Sequence, residues 1–475
     1  MGAGGIAGLA GCAGGGDGGS DGGSDGGSGD GGSDGGSGDG GSDGGSGGTS
    51  TSQSGEWPDL SGETLHMVTD SNDDTSKEFW TRITEGFSEA TGAETNVEFI
   101  TAGLEGNRRI IQMIQAGDPP DVSWRSLTQG GLLFNEGIIQ PLDDVYENVA
   151  ERLGQANPVV EETLDFGEGK VLMPVLNNLN TYNWRSDLVD IEPTDWESAL
   201  EYARAVDEMD NDVRGTYVPI ADGSIGTVRT VSWLWTIGGS IATWEDDQIT
   251  INFHEGENRE KMIELLNYLK DRQQYSPEGA GAGWGDVINI IQNGSAASTW
   301  YGGPRPKNAA IRNEREFASG VEVTRMPQNT QWGTDGSVEG FLAFKQGNTE
   351  VSKVFIEYAM QRDFLMFLYH NLGPIHNIPS WPSIKDSDEY VNGLKELDLW
   401  SGWNERQLNQ LQDEAFEVFQ HKSQDTSPPN PYAVTYSSEP LWDLQSDVLL
   451  RDKNPADIID GHAEALQEIV DERQG

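Results

Sequence analysis

Residues 63–124 read ETLHMVTDSNDDTSKEFWTRITEGFSEATGAETNVEFITAGLEGNRRIIQMIQAGDPPDVSW, and this stretch decides the fold class. Glu63–Val68 has the apolar run of a first strand and breaks at the polar turn Ser71-Asn72-Asp73-Asp74. From Lys77 to about Thr91, Phe79, Trp80, Ile83 and Phe87 recur at helical spacing and share one face. Val97–Ile100 is the next strand, and Arg108–Gln115 is helical, ending at Gly117 ahead of Pro119-Pro120. Asp121-Val122-Ser123-Trp124 closes the stretch as a third strand. Such alternation predicts an α/β sheet that is largely parallel.

The pattern continues downstream. Strands are predicted at Val171–Leu176 and Asn180–Trp184, and Pro193-Thr194-Asp195-Trp196 opens a helix with Asp195 at its start. Ser232–Ile237 runs into Gly238-Gly239, Arg259–Arg272 is a strong helix, and Val287–Gln292 precedes Gly294-Ser295-Ala296-Ala297. Helices follow at Glu350–Met360, Phe364–Tyr369, Glu405–His421, Leu441–Leu450 and Pro455–Glu472.

Upstream of residue 57 the character changes. The chain's one cysteine, Cys12, ends Leu9-Ala10-Gly11-Cys12, an apolar small-residue run of the kind read by lipid-attaching processing. Cys12 is therefore expected to carry a lipid, since a structural cysteine would have neither partner nor core around it. Residues 1–11 lack the basic residues that precede a signal's apolar segment, the first basic residue being Lys77, so they are read as part of a longer signal. Residues 13–56 repeat DGGSDGGSG at Asp21, Asp30 and Asp39 and are expected to be a disordered tether. The nine-residue period resembles calcium-binding β-helix repeats, but it lacks the large apolar residue these bury. No segment approaches the ~20 apolar residues of a spanning helix.

Acidic residues outnumber basic ones 79 to 30, for a net charge of −49. Such a surface repels nucleic acid and anionic headgroups. It suits strong salt, where the Debye length falls to ~3 Å at 1 M, and only 11 of the bases are lysine. A halophilic origin, haloarchaeal or similar, is the expectation. The residues after the tether exceed what one core usually supports and predict two domains.

Taken in order, several short motifs carry a resemblance. They are Pro120-Asp121-Val122, Thr181-Tyr182-Asn183, Pro193-Thr194-Asp195-Trp196-Glu197 and Trp233-Leu234-Trp235-Thr236-Ile237-Gly238-Gly239. Asn293-Gly294-Ser295-Ala296-Ala297, Gly340-Phe341-Leu342-Ala343-Phe344, Gly373-Pro374-Ile375-His376-Asn377 and Lys453-Asn454-Pro455-Ala456-Asp457 follow. Over roughly residues 60–472 the chain resembles the extracellular solute-binding proteins of ABC importers, of the maltose-binding-like, carbohydrate type.

The resemblance implies a two-lobe periplasmic-binding-protein-like fold with a ligand cleft and a hinge. One lobe would hold 57–174 plus 341–376, the other 175–340 plus 377–475, after 1–12 and the 13–56 tether. It implies no cofactor and no metal. The partners would be a sugar or oligosaccharide, the membrane permease subunits and their ATPase. The chain would act as a monomer, outside the cell, held by the lipid on Cys12.

A sugar site needs aromatic plates for C–H faces and planar polar groups for adjacent hydroxyls. Candidates from the positions that match the family are Ser71, Asn72 and Asp73 after the first strand, and Trp124 and Arg125 at the end of the third. Asn177, Asn178 and Tyr182 lie at the first crossover, and Trp233, Trp235 and Gly239 in the second lobe. Trp300, Tyr301 and Gly302 form an aromatic and glycine turn; Trp332, Asp335 and Glu339 precede the second crossover; His376 and Asn377 end the last. Each has a structural alternative. Trp233 and Trp235, two apart and on one face of a strand, serve either cleft or core; Ser71–Asp73 also suit a helix cap; Tyr182 and His376 also suit packing.

No G-x-S-x-G, phosphate loop, H-E-x-x-H or paired C-x-x-C is present, and the six histidines are scattered. The rival reading is a secreted glycoside hydrolase, for which Asp335/Glu339 or Asp73/Asp74 would supply the carboxyl pair. A structural cell-wall module is the third class. A binding protein of the same fold for a polyol or a glycerol phosphate is the further alternative. An anionic ligand would need clustered base, for which Arg108, Arg109 and Arg125 are the candidates.

Overall fold

The computed structural model describes residues 57–71, 74–101, 104–167, 169–220, 224–245, 248–277, 283–417 and 439–474. Cys12, the 13–56 tract, Asn72 and Asp73 lie outside the described residues.

Among the described residues there are ten strands: β1 (Thr64–Thr69), β2 (Glu94–Phe99), β3 (Val122–Ser126), β4 (Met173–Arg185), β5 (Ala242–Glu245), β6 (Gln248–Ile251), β7 (Ser298–Gly302), β8 (Val321–Thr324), β9 (Gly336–Ala343) and β10 (Ile378–Pro379). The main sheet runs β10-β4-β9-β3-β1-β2, with β7 and β8 also paired to β4. β1 pairs parallel with β2 and β3, joined by the helices Asp74–Thr91 and Leu104–Ala116. This is the right place for the apolar stripe read from the sequence: Phe79, Trp80, Ile83 and Phe87 are all buried.

β4 departs from the expected pair of short strands. It is one strand of 13 residues, spanning both predicted runs and the Asn177-Asn178 step between them. Its first half pairs antiparallel with β9 and β10, as in Asn177 with Val338 and with Ile378. From Asn180 onward its partners are β7 and β8. The partner exchange coincides with a change of hydrophobic core. Leu179 belongs to a core built from residues 60–179, 338–416 and Val323. Tyr182 belongs to a second core of residues 182–326 and 441–470. Hence the two lobes of an α/β binding-protein fold. At the changeover the Asn180 amide donates to the Asp335 carbonyl at 2.8 Å, and Asn180 Nδ2 donates to Ser232 Oγ at 3.1 Å.

Core membership differs from the expected lobe boundaries at Val175, Leu176, Leu179, Val323 and Val338, and over one longer stretch. Ile378, Trp381, Tyr390, Leu394, Trp403, Leu408 and Phe416 pack in the first core, so residues 377–416 do not pass to the second. The reason lies in packing: Trp381 Nε1 donates to the Pro174 carbonyl at 2.8 Å, and β10 extends the first sheet.

A second correction concerns Ser232–Ile237. Trp233 and Trp235 sit on the helix Ser224–Thr236, not on a strand. Trp233 is 1% exposed and packs edge-on against Trp196 and Tyr182. The helix is buried on most sides, and its Thr230, Ser232 and Thr236 hydroxyls donate to carbonyls of the preceding turn. Further along, helix Trp196–Asp207 starts as expected, with Asp195 accepting from the Ser198 amide at 2.8 Å in a capping box.

The close packing of β4 on β9 yields a test. A Cβ on Gly340 would stand 1.9 Å from the Met173 carbonyl oxygen, whereas one on Gly461, inside the helix Pro455–Gln474, meets nothing within 4 Å. Gly340→Ala is expected to cost roughly 1–3 kcal/mol by overpacking, and Gly461→Ala to add about 0.5–1 kcal/mol by relieving helix entropy. Chemical denaturation of both variants in molar salt reads the two signs.

Candidate ligand-binding cleft

A cavity of about 590 Å³ opens where the carboxyl ends of β1 and β3 meet the middle of β4 and the helices that flank β7. One wall comes from the first core. It holds Ser71 after β1, Ser76 and Trp80 on the first helix, Trp124 on β3, Asn178 on β4, Glu339 on β9, and the turn Asn371–Asn377. The opposite wall carries Ile288 from helix Trp284–Gln292 and Arg305, Asn308 and Arg312 from helix Arg305–Arg312.

The aromatic part is fixed by the sheet. Trp124 and Trp80 meet edge to face with ring centroids 5.3 Å apart, and Phe341 backs Trp124 at 5.2 Å. Beneath them Arg125 is fully buried and donates to the Asp70 carboxylate at 2.7 Å, while Gln129 reaches the same oxygen. Arg125 thus holds the turn after β1 rather than facing the cavity.

Glu339 lies at the floor and accepts from Asn178 Nδ2 at 2.8 Å. Burial, joined by the Asp70 carboxylate, raises its carboxyl above the ordinary value, against the pull of Arg305 and of hydrogen bonds from Asn178 and Trp124. His376 is buried, and desolvation with Arg305 nearby holds its imidazole far below the usual value, so it is neutral at pH 7. Its Nδ1 has no hydrogen-bond partner among the described residues. Gly303, at φ +75°, leaves room for that ring: a Cβ there would stand 2.8 Å from His376 Nδ1. Asn308 is fully used in joining the walls, donating to the Pro374 carbonyl at 3.2 Å and accepting from Trp403 Nε1 at 2.9 Å.

Of the residues singled out from sequence, Ser71, Trp124, Asn178, Glu339, His376 and Asn377 line this cavity. Others sit elsewhere. Asn177 is buried on the other face of β4 and donates to Ser380 Oγ at 2.9 Å. Tyr182, Trp233 and Trp235 belong to the second core, where Tyr182 donates to Ser298 Oγ at 2.8 Å. Gly239 packs beneath Leu234. Trp300 and Tyr301 are each 2% exposed beside Trp284, which also neighbours Gly302. Asp335 is buried at the β4 changeover, and Trp332 is exposed under Arg325. Alternation explains the miss on β4: adjacent residues face opposite sides, so Asn178 and Asn177 cannot share a wall.

The wall residues not foreseen include Ser76, Trp80, Arg305, Asn308, Arg312 and Asn371. Arg305 and Arg312 had a readable signal, seven residues apart and so on one helix face. The expected basic cluster is not assembled: Arg109 pairs with Glu98 at 2.9 Å, and Arg125 is sealed under Asp70. Of the expected carboxyl pairs, Glu339 lines the cavity while Asp335 is buried outside its lining, and Asp73 lies outside the described residues. Among the described residues no cluster of His, Cys, Asp and Glu could hold a metal ion, and no helix is long and apolar enough to cross a membrane.

A carboxyl group whose folded value is raised favours folding most when it is protonated and loses that contribution as pH climbs past the ordinary value of 4.5. Glu339→Gln keeps the Asn178 bond and removes the charge. It is expected to raise the thermal midpoint at pH 7.5, the gain disappearing below pH 4.5, as scanning calorimetry across that range would read.

Comparison with known proteins agrees with this geometry. No curated protein matches the chain's sequence. Among solved structures, maltose-bound MalE3 of T. maritima superposes with a TM-score of 0.68 at 16% identity, covering 86% of this chain and 100% of that one. A sugar transporter protein of Arthrobacter chlorophenolicus A6 with bound laminaribiose gives 0.67 at 16% identity, over 86% and 99%. A solute-binding protein of Agrobacterium radiobacter K84 in complex with ribitol gives 0.65 at 16% identity, over 88% and 99%. At these identities the likeness is one of fold. The sequence itself, over residues 71–363, matches the model of the bacterial extracellular solute-binding proteins, a family of non-enzymatic receptors, and the chain belongs to that family.

Proposed function

We propose that the protein is the sugar-capturing receptor of an ABC importer, and that its ligand binds in the cavity between the two walls. The observation that carries this reading is the make-up of the cavity. An aromatic wall of Trp124 and Trp80 stands beside the polar groups of Ser71, Asn178, Glu339, Asn371 and Asn377, the combination that holds a ring with apolar faces and a hydroxyl rim. Structural neighbours bound to maltose, laminaribiose and ribitol support a sugar or polyol as ligand.

In this reading Trp124, Asn178, Glu339, His376 and Asn377 contact ligand from the first lobe, with Ser71 at the edge. Trp300, Tyr301 and Gly302 act behind the opposite wall, as positioning residues for Arg305. β4 and β9 are the hinge strands, and closure brings helix Arg305–Arg312 onto the ligand. The loaded receptor then docks through the outer faces of its lobes on two permease subunits driven by an ATPase. Cys12 carries the lipid, the Gly/Ser/Asp tract lets the lobes sweep the space above the permease, and the acidic surface is an adaptation to strong salt.

Isothermal titration in molar salt against mono- and oligosaccharides and polyols tests the reading. Saturable binding without release of reducing sugar is expected, with Trp124→Ala weakening it by about tenfold or more. Hydrolysis of the ligand would contradict it. Cys12→Ser is expected to move the protein from the membrane fraction to the medium, read by immunoblot of the two fractions.

A further inference from the structure

The cavity has an electrostatic asymmetry that a neutral sugar does not call for. Its second wall presents Arg305 and Arg312, both exposed, from one face of one helix. Seven residues apart, they stand about 10 Å from each other along the helix axis. The chain has 79 acidic residues to 30 basic ones, yet among the described residues no carboxylate lies within ion-pair distance of either arginine. Arg305 has the Tyr301 hydroxyl as its hydrogen-bond neighbour. Lys307, between them, is spent elsewhere: it is buried and donates to the Val321 carbonyl at 2.6 Å and to Gln407 at 3.2 Å.

The first wall holds three polar atoms with nothing bonded to them among the described residues: His376 Nδ1, Asn178 Oδ1 and Trp80 Nε1. His376 is 5% exposed and Trp80 1% exposed, and both line the cavity. Buried polar groups left unpaired cost free energy, and at this wall a ligand group would offset that cost.

Closure of the walls would strip water from Arg305 and Arg312. A desolvated guanidinium with only hydroxyl oxygens to meet is poorly compensated, and it cannot lose its proton to escape. An oxyanion meets its planar fork with two parallel hydrogen bonds. Long-range repulsion from a net charge of −49 does not forbid an anionic ligand in strong salt, where screening confines charge effects to contact distance.

Resting on the sugar-receptor reading above, we infer that the ligand is an acidic saccharide. Its ring lies along the Trp124–Trp80 wall and its oxyanion, a carboxylate or a sulfate ester, is held by Arg305 and Arg312. The hydroxyl-bearing end then meets Asn178 and Glu339. The ligand charge thereby takes the place of the carboxylate partners these residues lack.

Titration of the full chain in molar potassium chloride with three probes of equal length decides it: a neutral maltotriose, a trigalacturonate and a sulfated trisaccharide. At least one acidic probe is expected to bind about tenfold or more tighter than the neutral one, the increment a charge-assisted hydrogen bond supplies. Which acidic probe wins identifies the oxyanion. In the double variant Arg305→Gln/Arg312→Gln, with folding verified by circular dichroism, the acidic-to-neutral ratio is expected to collapse to near one, and Arg305→Lys/Arg312→Lys to restore part of it. Equal or tighter binding of maltotriose overturns the inference and leaves the sugar receptor standing. A ratio unchanged in the double variant also overturns the inference. Failure of all three probes overturns the inference, and the sugar-receptor reading falls with it only when the wider panel of saccharides and polyols also fails to bind.

Discussion

Everything in the molecule hangs on one strand with two sets of partners. β4 keeps an extended backbone for 13 residues, about 40 Å at strand rise, while its neighbours change from β9 and β10 to β7 and β8. A single continuous strand cannot slip its register on one side without moving the other. The two cores are therefore coupled through backbone hydrogen bonds at Leu179 and Asn180. Gly340, where a side chain would overlap Met173, marks how closely β9 is laid against this strand. The cavity forms beside the changeover because side chains on one face of β4, such as Asn178, emerge there between two layers that diverge.

The polar groups around the cavity fall into two kinds. The bond from Arg125 to Asp70 and those of Asn308 and Asn180 are spent on structure and fix the walls. His376, Asn178 and Trp80 retain unbonded buried atoms, and Arg305 and Arg312 retain unpaired charge. Ligand recognition belongs to the second kind. The difference is one of surroundings rather than residue type. Arg125 and Arg305 are the same amino acid, yet one is sealed under an aspartate and the other faces an open cavity.

Much of the fold was legible because residues 63–124 obey simple periodicities, and the parallel β1–β2–β3 unit follows from them. The family-wide order of short motifs carried the two-lobe architecture. The errors arose where local pattern is ambiguous. Ser232–Ile237 is a short apolar run, which periodicity cannot divide between strand and helix, and burial on most sides of the helix erased its amphipathic stripe. Asn177-Asn178 looked like a break between strands, although polar side chains are tolerated there because Ser380 and Glu339 receive them. Trp233 was open between cleft and core, and Trp300 and Tyr301 were placed at the ligand by family position; all three pack in the second core. The basic wall was hidden for a different reason. The spacing of Arg305 and Arg312 shows that they share a helix face, but only the packing of Asn308 and Lys307 shows which way that face points.

The central claim is that the two walls close on a carbohydrate held between them. Small-angle scattering of the protein in molar salt, recorded without and with saturating saccharide, tests it most directly. The account predicts a saturable fall in the radius of gyration that follows the binding isotherm, and a loss of that fall when Trp124 is replaced by alanine. Ligand binding with an unchanged radius of gyration, or with the fall retained in that variant, would contradict it.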